Sequence, residues 1–230
     1  MVELNGPRVA PASGKAQQLV VFLHGYGADG NDLIGLAPHL QQVLPQAAFV
    51  SPNAPEQVPG SFGYQWFSLA GYDPNALRRD PADDPRNAVR LAGARLVAPV
   101  LDAFLDAELA RLNLSGDRLA LVGFSQGSMM ALHVGLRRAV APAAIVGFSG
   151  ALIGPETLAA EIRSRPPVLL VHGDMDPVVP VEALQRAVNG LGAVGVTAQW
   201  HISRGVPHGI APDGLQLASE FLRTAFASPA

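Results

Sequence analysis

Short apolar runs alternate with longer stretches of helical periodicity along most of this chain. Leu19-Val20-Val21-Phe22-Leu23 is unbroken apolar sequence ending in a glycine-rich loop. Such a run suits a strand buried on both faces of a parallel sheet. Asn31 or Asp32 is placed to cap a helix reaching about Leu44, with Leu33, Leu36, Leu40 and Val43 on one face. Ala47 to Val50 reads as a second strand. Ser51 to Pro85 breaks the rhythm, being rich in Pro, Gly, Asn and Asp and carrying Tyr64, Trp66, Phe67 and Tyr72. Irregular segments of that length in compact domains are often functional. A long helical pattern then runs from Asp84 to Asn113, with Val89, Leu96, Val100 and Phe104 on one face. Pro99 within it predicts a kink or the helix's true start.

The second half repeats the alternation. Leu119–Val122, Ala144–Phe148, Val168–Val171 and Val196–Ile202 read as strands. Gly123 to Gly127 reads as a turn into a helix ending near Arg138, and Val181 to Leu191 and Gly214 to Ala227 read as helices. Repeated β-α-β units predict an α/β fold with a mainly parallel central sheet and helices on both faces. No repeat or linker divides the 230 residues, so residues 1–230 are read as a single domain.

Composition narrows the chemistry. Cysteine is absent, which removes disulfides, a thiolate nucleophile and Cys-bearing zinc sites. The net charge of −3 supplies no basic field for nucleic acid. Lys15 is the sole lysine, in a polar N-terminal stretch, which disfavours a lysine Schiff base. Met1 to Lys15 has no apolar core of a targeting signal, and no apolar run approaches the roughly 20 residues of a membrane span. The expectation is a cytoplasmic protein without stable membrane insertion. A homodimer is compatible with the sequence, which does not set the oligomeric state.

Two glycine-rich loops carry candidate chemistry. Gly25-Tyr26-Gly27-Ala28-Asp29-Gly30 fits G-x-G-x-x-G between a strand and a helix. A dinucleotide site would also need an acid about 20 residues on. The second strand instead ends Ser51-Pro52-Asn53, and Asp29 would face the pyrophosphate. Gly123-Phe124-Ser125-Gln126-Gly127 fits G-x-S-x-G, again between a strand and a helix, the placement of a nucleophile elbow. A second run, Gly147-Phe148-Ser149-Gly150, also ends a strand, but Ala151 follows and no strong helix opens there. Ser149 is therefore read as structural.

A serine hydroxyl needs a base. Of the six histidines, His39 lies on a helix rim, His133 two turns beyond Ser125, and His201 inside a strand. His24 shapes the first glycine-rich loop, and His172 ends a strand as a weaker alternative. His208 sits in a turn-rich loop between the last strand and last helix, where a hydrolase base belongs. The orienting acid should lie between serine and histidine in sequence, and His172-Gly173-Asp174-Met175-Asp176 offers Asp174 and Asp176. Ser125, Asp176 and His208 give the order Ser, Asp, His. The backbone N–H of Gln126 and that of Tyr26 are the candidate oxyanion donors.

Taken together, Leu23-His24-Gly25-Tyr26-Gly27, Gly123–Gly127, His172-Gly173 with Asp176, Val179-Pro180 and Pro207-His208-Gly209 resemble the phospholipase/carboxylesterase family. The resemblance implies an α/β-hydrolase fold and serine esterase activity without metal or cofactor. It favours Asp176 over Asp174. It implies a small ester or thioester as substrate, of short to medium acyl chain, with thioesterase and lysophospholipase activity as alternatives. Trp66-Phe67 resembles a family motif near the substrate groove, followed here by Ser68 where many members have Asp. Trp66, Phe67 and Val178 are the expected substrate-binding residues, with the equal alternative that the two aromatics pin their loop to the core. Tyr26 resembles the esterase branch, since thioesterases often carry Leu there. A binding protein that has kept the scaffold without catalysis is the reading from another class.

Overall fold

The structure is a computed structural model that describes residues 3–69 and 85–227. In chain order its elements are β1 (Arg8–Val9), β2 (Gln18–Leu23), α1 (Gly30–Ile34), α2 (Ala37–Gln41), β3 (Ala47–Val50), β4 (Glu56–Gln57), β5 (Tyr64–Gln65) and α3 (Pro85–Leu112). Then follow β6 (Leu119–Phe124), α4 (Gln126–Gly135), β7 (Ala144–Phe148), α5 (Pro155–Glu161), β8 (Val168–Gly173), α6 (Glu182–Ala193), β9 (Ala198–Ser203) and α7 (Pro212–Ala227).

The main sheet has seven strands in the order β1-β3-β2-β6-β7-β8-β9. Every pairing within it is parallel except β1 with β3. Side chains alternate across a strand, so each apolar run feeds two cores. Leu19, Val21 and Leu23 of β2 face the core shared with α3, α4 and α6. Val20 and Phe22 face the other, shared with α1, α2 and α7. Burial on both faces is why these strands read as continuous apolar sequence.

Several expectations are corrected. The first helix is two short ones. Asp29, not Asn31 or Asp32, caps it, accepting from the Asn31 amide at 2.7 Å. Pro38 in the first turn of α2 divides the segment, because it lacks the N–H that a continuous helix would donate to Ile34 O. Pro99 does not start α3 but lies within it, exposed, so water can meet the carbonyl its missing N–H releases. Val89 and Leu96 are exposed, and α3 instead buries Ala94, Val97, Leu101, Leu105 and Leu109. Phe104 is buried as expected, and Val100 is half-buried. Asp84 and Tyr72 lie outside the described residues. Short α5 and the antiparallel edge strand β1 have too few residues to show a period.

The order of strands places the site. From β2 the chain adds β3 on one side and later β6 on the other. Crevices outside the carboxyl ends of strands at such a reversal are where α/β proteins bind ligands. The loops leaving β2, β6, β8 and β9 carry Tyr26, Ser125, Asp176 and His208.

Candidate active site

Ser125 sits between β6 and α4 with φ +53° and ψ −116°. Its amide donates to Phe148 O on the neighbouring strand at 2.8 Å, which helps hold this strained turn. The two flanking glycines are required by crowding. A Cβ on Gly127 would lie 1.8 Å from Leu23 O, and one on Gly123 would lie 2.3 Å from Gly127 O.

Three loops meet at this turn. His208 Nε2 lies 3.0 Å from Ser125 Oγ, and His208 Nδ1 lies 2.7 Å from Asp176 Oδ2. The ring of Phe124 packs against the His208 imidazole at 4.8 Å between centroids. Asp176 is buried, and its Oδ1 accepts from the amides of Val178 and Val179, each at 2.8 Å. Burial alone would raise its pKa. Hydrogen bonds from His172, His208 and the Val179 amide outweigh that and hold the carboxyl well below the usual 3.8. Asp176 is therefore a carboxylate, so Nδ1 of His208 carries the proton and Nε2 is left to accept from the Ser125 hydroxyl. Asp174 does different work. Exposed, it accepts from the Gly205 amide at 2.6 Å and so braces the loop that carries His208.

The first glycine-rich loop closes over the same turn. Gly25 packs against the Phe124 ring, where an added Cβ would come within 3.2 Å of it. Among the described residues, neither the Tyr26 nor the Gln126 amide is engaged by a backbone or side-chain acceptor. For Gln126 this follows from its place as the first residue of α4.

Trp66 and Phe67 are corrected. Trp66 is fully buried and Phe67 is 2% exposed, both in the core with α3 and α4 rather than on the cavity wall. Their segment is fastened by polar groups that periodicity cannot reveal. Gln126 Oε1 accepts from the Trp66 amide at 2.8 Å, and its Nε2 donates to Phe67 O at 2.7 Å. Trp66 Nε1 donates to His24 O at 2.9 Å. His24 Nε2 accepts from the Ala54 amide, so Nδ1 carries the proton and donates to Gly25 O at 2.7 Å. Burial lowers the His24 pKa, in keeping with this neutral tautomer. The loop of Tyr26 thus rests on a buried polar frame.

A cavity of about 470 Å³ opens beside Ser125 and His208, within the usual range for small-molecule sites. Tyr26, Leu69, Met129, Leu152, Ile153 and Val178 supply much of its wall. Val178, expected from the sequence to bind substrate, lies on this wall. Asn87, Arg90 and Arg186 also line the cavity, and Arg90 Nη1 donates to Asn87 Oδ1 at 2.8 Å. Sequence reasoning missed these three, because helix residues far apart in sequence carry no local sign of facing one cavity.

The sequence signature of the phospholipase/carboxylesterase family matches residues 4–226. The chain belongs to that family. Acyl-protein thioesterase 1 of Saccharomyces cerevisiae is 29% identical over 98% of this chain and all of its own length. The crystal structure of esterase PE8 is 49% identical and superposes with a TM-score of 0.88, covering 97% of this chain and all of that one. Acyl-protein thioesterase 2 of Zea mays is 25% identical with a TM-score of 0.72, over 96% of this chain and 98% of its own. The family's members are serine hydrolases, and this chain is a hydrolase of the carboxylesterase and thioesterase kind with the α/β-hydrolase fold. No helix among the described residues is long and apolar enough to cross a membrane.

Proposed function

We propose that this protein is a serine carboxylesterase acting on esters of short to medium acyl chain, with Ser125 as nucleophile, His208 as base and Asp176 as its orienting acid. The observation that carries the reading is the continuous chain Ser125 Oγ, His208 and Asp176, with contacts of 3.0 and 2.7 Å, beside a cavity lined largely by apolar groups. Ser125 Oγ attacks the ester carbonyl as its proton passes to His208 Nε2. Asp176 stabilises the imidazolium. The carbonyl oxygen becomes an oxyanion held by the amides of Tyr26 and Gln126. His208 returns the proton to the leaving alcohol, and an acyl-Ser125 remains. Water, deprotonated by His208, then attacks that ester and releases the acid.

Esterase PE8, at 49% identity, supports esters over thioesters as the main substrate. The thioesterase names of the 29% and 25% relatives make thioesters the second reading. That residues 1–230 act as one domain in the cytoplasm, without nucleic acid, metal or cofactor, belongs to the same proposal. The test is a chain-length series of nitrophenyl esters with matched thioesters, alongside a fluorophosphonate probe. Turnover is expected to peak at short to medium acyl chains and the probe to label Ser125. Preference for the thioesters moves the assignment to the second reading. Absence of label on a folded protein overturns catalysis and leaves a binding protein.

A further inference from the structure

The carboxylate of Asp176 is gripped from more sides than orienting one histidine requires. Its Oδ1 accepts two backbone amides, from Val178 and Val179, and its Oδ2 accepts His208 Nδ1 at 2.7 Å. A second imidazole stands at the same Oδ2. His172 Nε2 lies 3.4 Å from it, and both side chains are almost wholly buried. The same Nε2 lies 2.8 Å from Val179 O. A carbonyl can only accept, so Nε2 of His172 carries a proton, and that N–H is shared between Val179 O and Asp176 Oδ2. The contacts close on themselves: Val179 N–H holds Oδ1, Val179 O holds His172, and His172 reaches Oδ2.

We propose that His172 is a positioning residue, whose N–H fixes the rotation of the Asp176 carboxylate and through it aims the His208 ring at Ser125. The two amides anchor Oδ1 but leave Oδ2 able to swing about the axis through Oδ1. His172, 3.4 Å from Oδ2, adds a second contact at that oxygen that resists the swing. A carboxylate turned out of the imidazole plane would weaken the Nδ1–H bond and tilt Nε2 away from Ser125 Oγ, and small misplacements of a base are costly to rate. Because His172 acts on the base and not on substrate, its loss should appear in kcat and leave KM alone. The inference rests on the triad proposed above.

The test is a double-mutant cycle on nitrophenyl butyrate. His172→Leu is expected to lower kcat about tenfold with KM within about twofold, the low end for a charge-assisted hydrogen bond at this length. His172→Gln, whose amide nitrogen reaches the place of Nε2, should restore kcat to within about threefold of the original. In an Asp176→Ala background, adding His172→Leu should change kcat by less than about twofold, because the group it acts through is gone. A tenfold loss that recurs in that background shows a merely structural role and overturns the proposal, as does a folded His172→Leu with unchanged kcat. If His172→Leu does not fold, His172→Gln and His172→Asn decide. Asn reaches only the place of Nδ1, so equal kcat in the two overturns the proposal, and a higher kcat for Gln upholds it. An Asp176→Ala enzyme with full kcat overturns the triad itself and this inference with it, a result distinct from all the others.

Discussion

Adjacent strands of the sheet end in nearly the same sequence, Gly123-Phe124-Ser125 on β6 and Gly147-Phe148-Ser149 on β7, and the two run in register, Gly123 beside Gly147 and Phe124 beside Phe148. Both serines have positive φ, +53° and +48°. Each amide donates 2.8 Å to the next strand, Ser125 to Phe148 O and Ser149 to Val171 O. The turns part after the serine. A ten-residue helix opens at Gln126, whereas no helix begins until Pro155 beyond Ser149. Ser125 Oγ meets His208, whereas Ser149 Oγ is buried and finds no partner among the described residues. Backbone strain at a strand end is therefore common to both serines. The following helix, the contact with His208 and the open cavity belong to Ser125, and Ser149 has none of them.

The largest test of this contrast replaces each serine. Ser125→Ala should lower kcat by at least about 10⁴-fold, while Ser149→Ala should leave it within about twofold. Ser149→Ala also removes a buried hydroxyl without a partner among the described residues, so its Tm should be unchanged or up to about 4 °C higher. Thermal melts and nitrophenyl ester assays check both, and a catalytic loss in Ser149→Ala would break the contrast. Next is the residue two positions on. Gly127→Ala drives a methyl into Leu23 O and should cost at least about 4 kcal/mol, near 10 °C in Tm. Ala151→Gly, the matching position of the other turn, should cost only about 1 kcal/mol.

A smaller effect separates the two turns through α4, which only Ser125 has. His133 on that helix is buried, and burial, then Arg137 and Arg95, lower its pKa from 6.5 to about 4, against a raising influence from Glu161. The unfolded chain takes up a proton near pH 6.5 that the folded protein refuses until about pH 4. The neutral His133 therefore supports stability above pH 6.5, and that support is lost as pH falls toward 4. His133→Gln should reduce the loss of stability over this window by an amount on the order of 2 kcal/mol, read from melts at several pH values. An unchanged slope would show that other groups set it. The smallest change is expected for Tyr26→Ala. The proposed donor there is the backbone N–H, which the variant keeps, so kcat should stay within about threefold and only KM should move with the lost side chain.

Much of the site was legible because its pieces are local. The glycines beside Ser125 are written into the sequence by crowding that allows no side chain, and the order Ser125, Asp176, His208 follows from loops that each leave a strand. The choice against Asp174 needed the resemblance, and its own task of bracing Gly205 showed only in the fold. Trp66 and Phe67 misled because an aromatic pair in an irregular segment looks the same whether it lines a groove or plugs a core. What decides is the Gln126 side chain, about sixty positions away, holding both backbones inward. Val89 and Leu96 misled for a related reason: with alanines admitted as core residues, another stripe of α3 buries as well or better.

The sequence by itself determined the alternation of strand and helix, the doubly buried sheet and the triad candidates. Each is encoded by residues within a few positions of one another, through periodicity, loop chemistry or steric exclusion. Only the tertiary structure decided which residues wall the cavity, which of the two matching serines meets a histidine and why a second imidazole stands at Asp176. Those are meetings between loops far apart in the chain, set by strand order and by where buried polar groups find partners, and no local pattern records them.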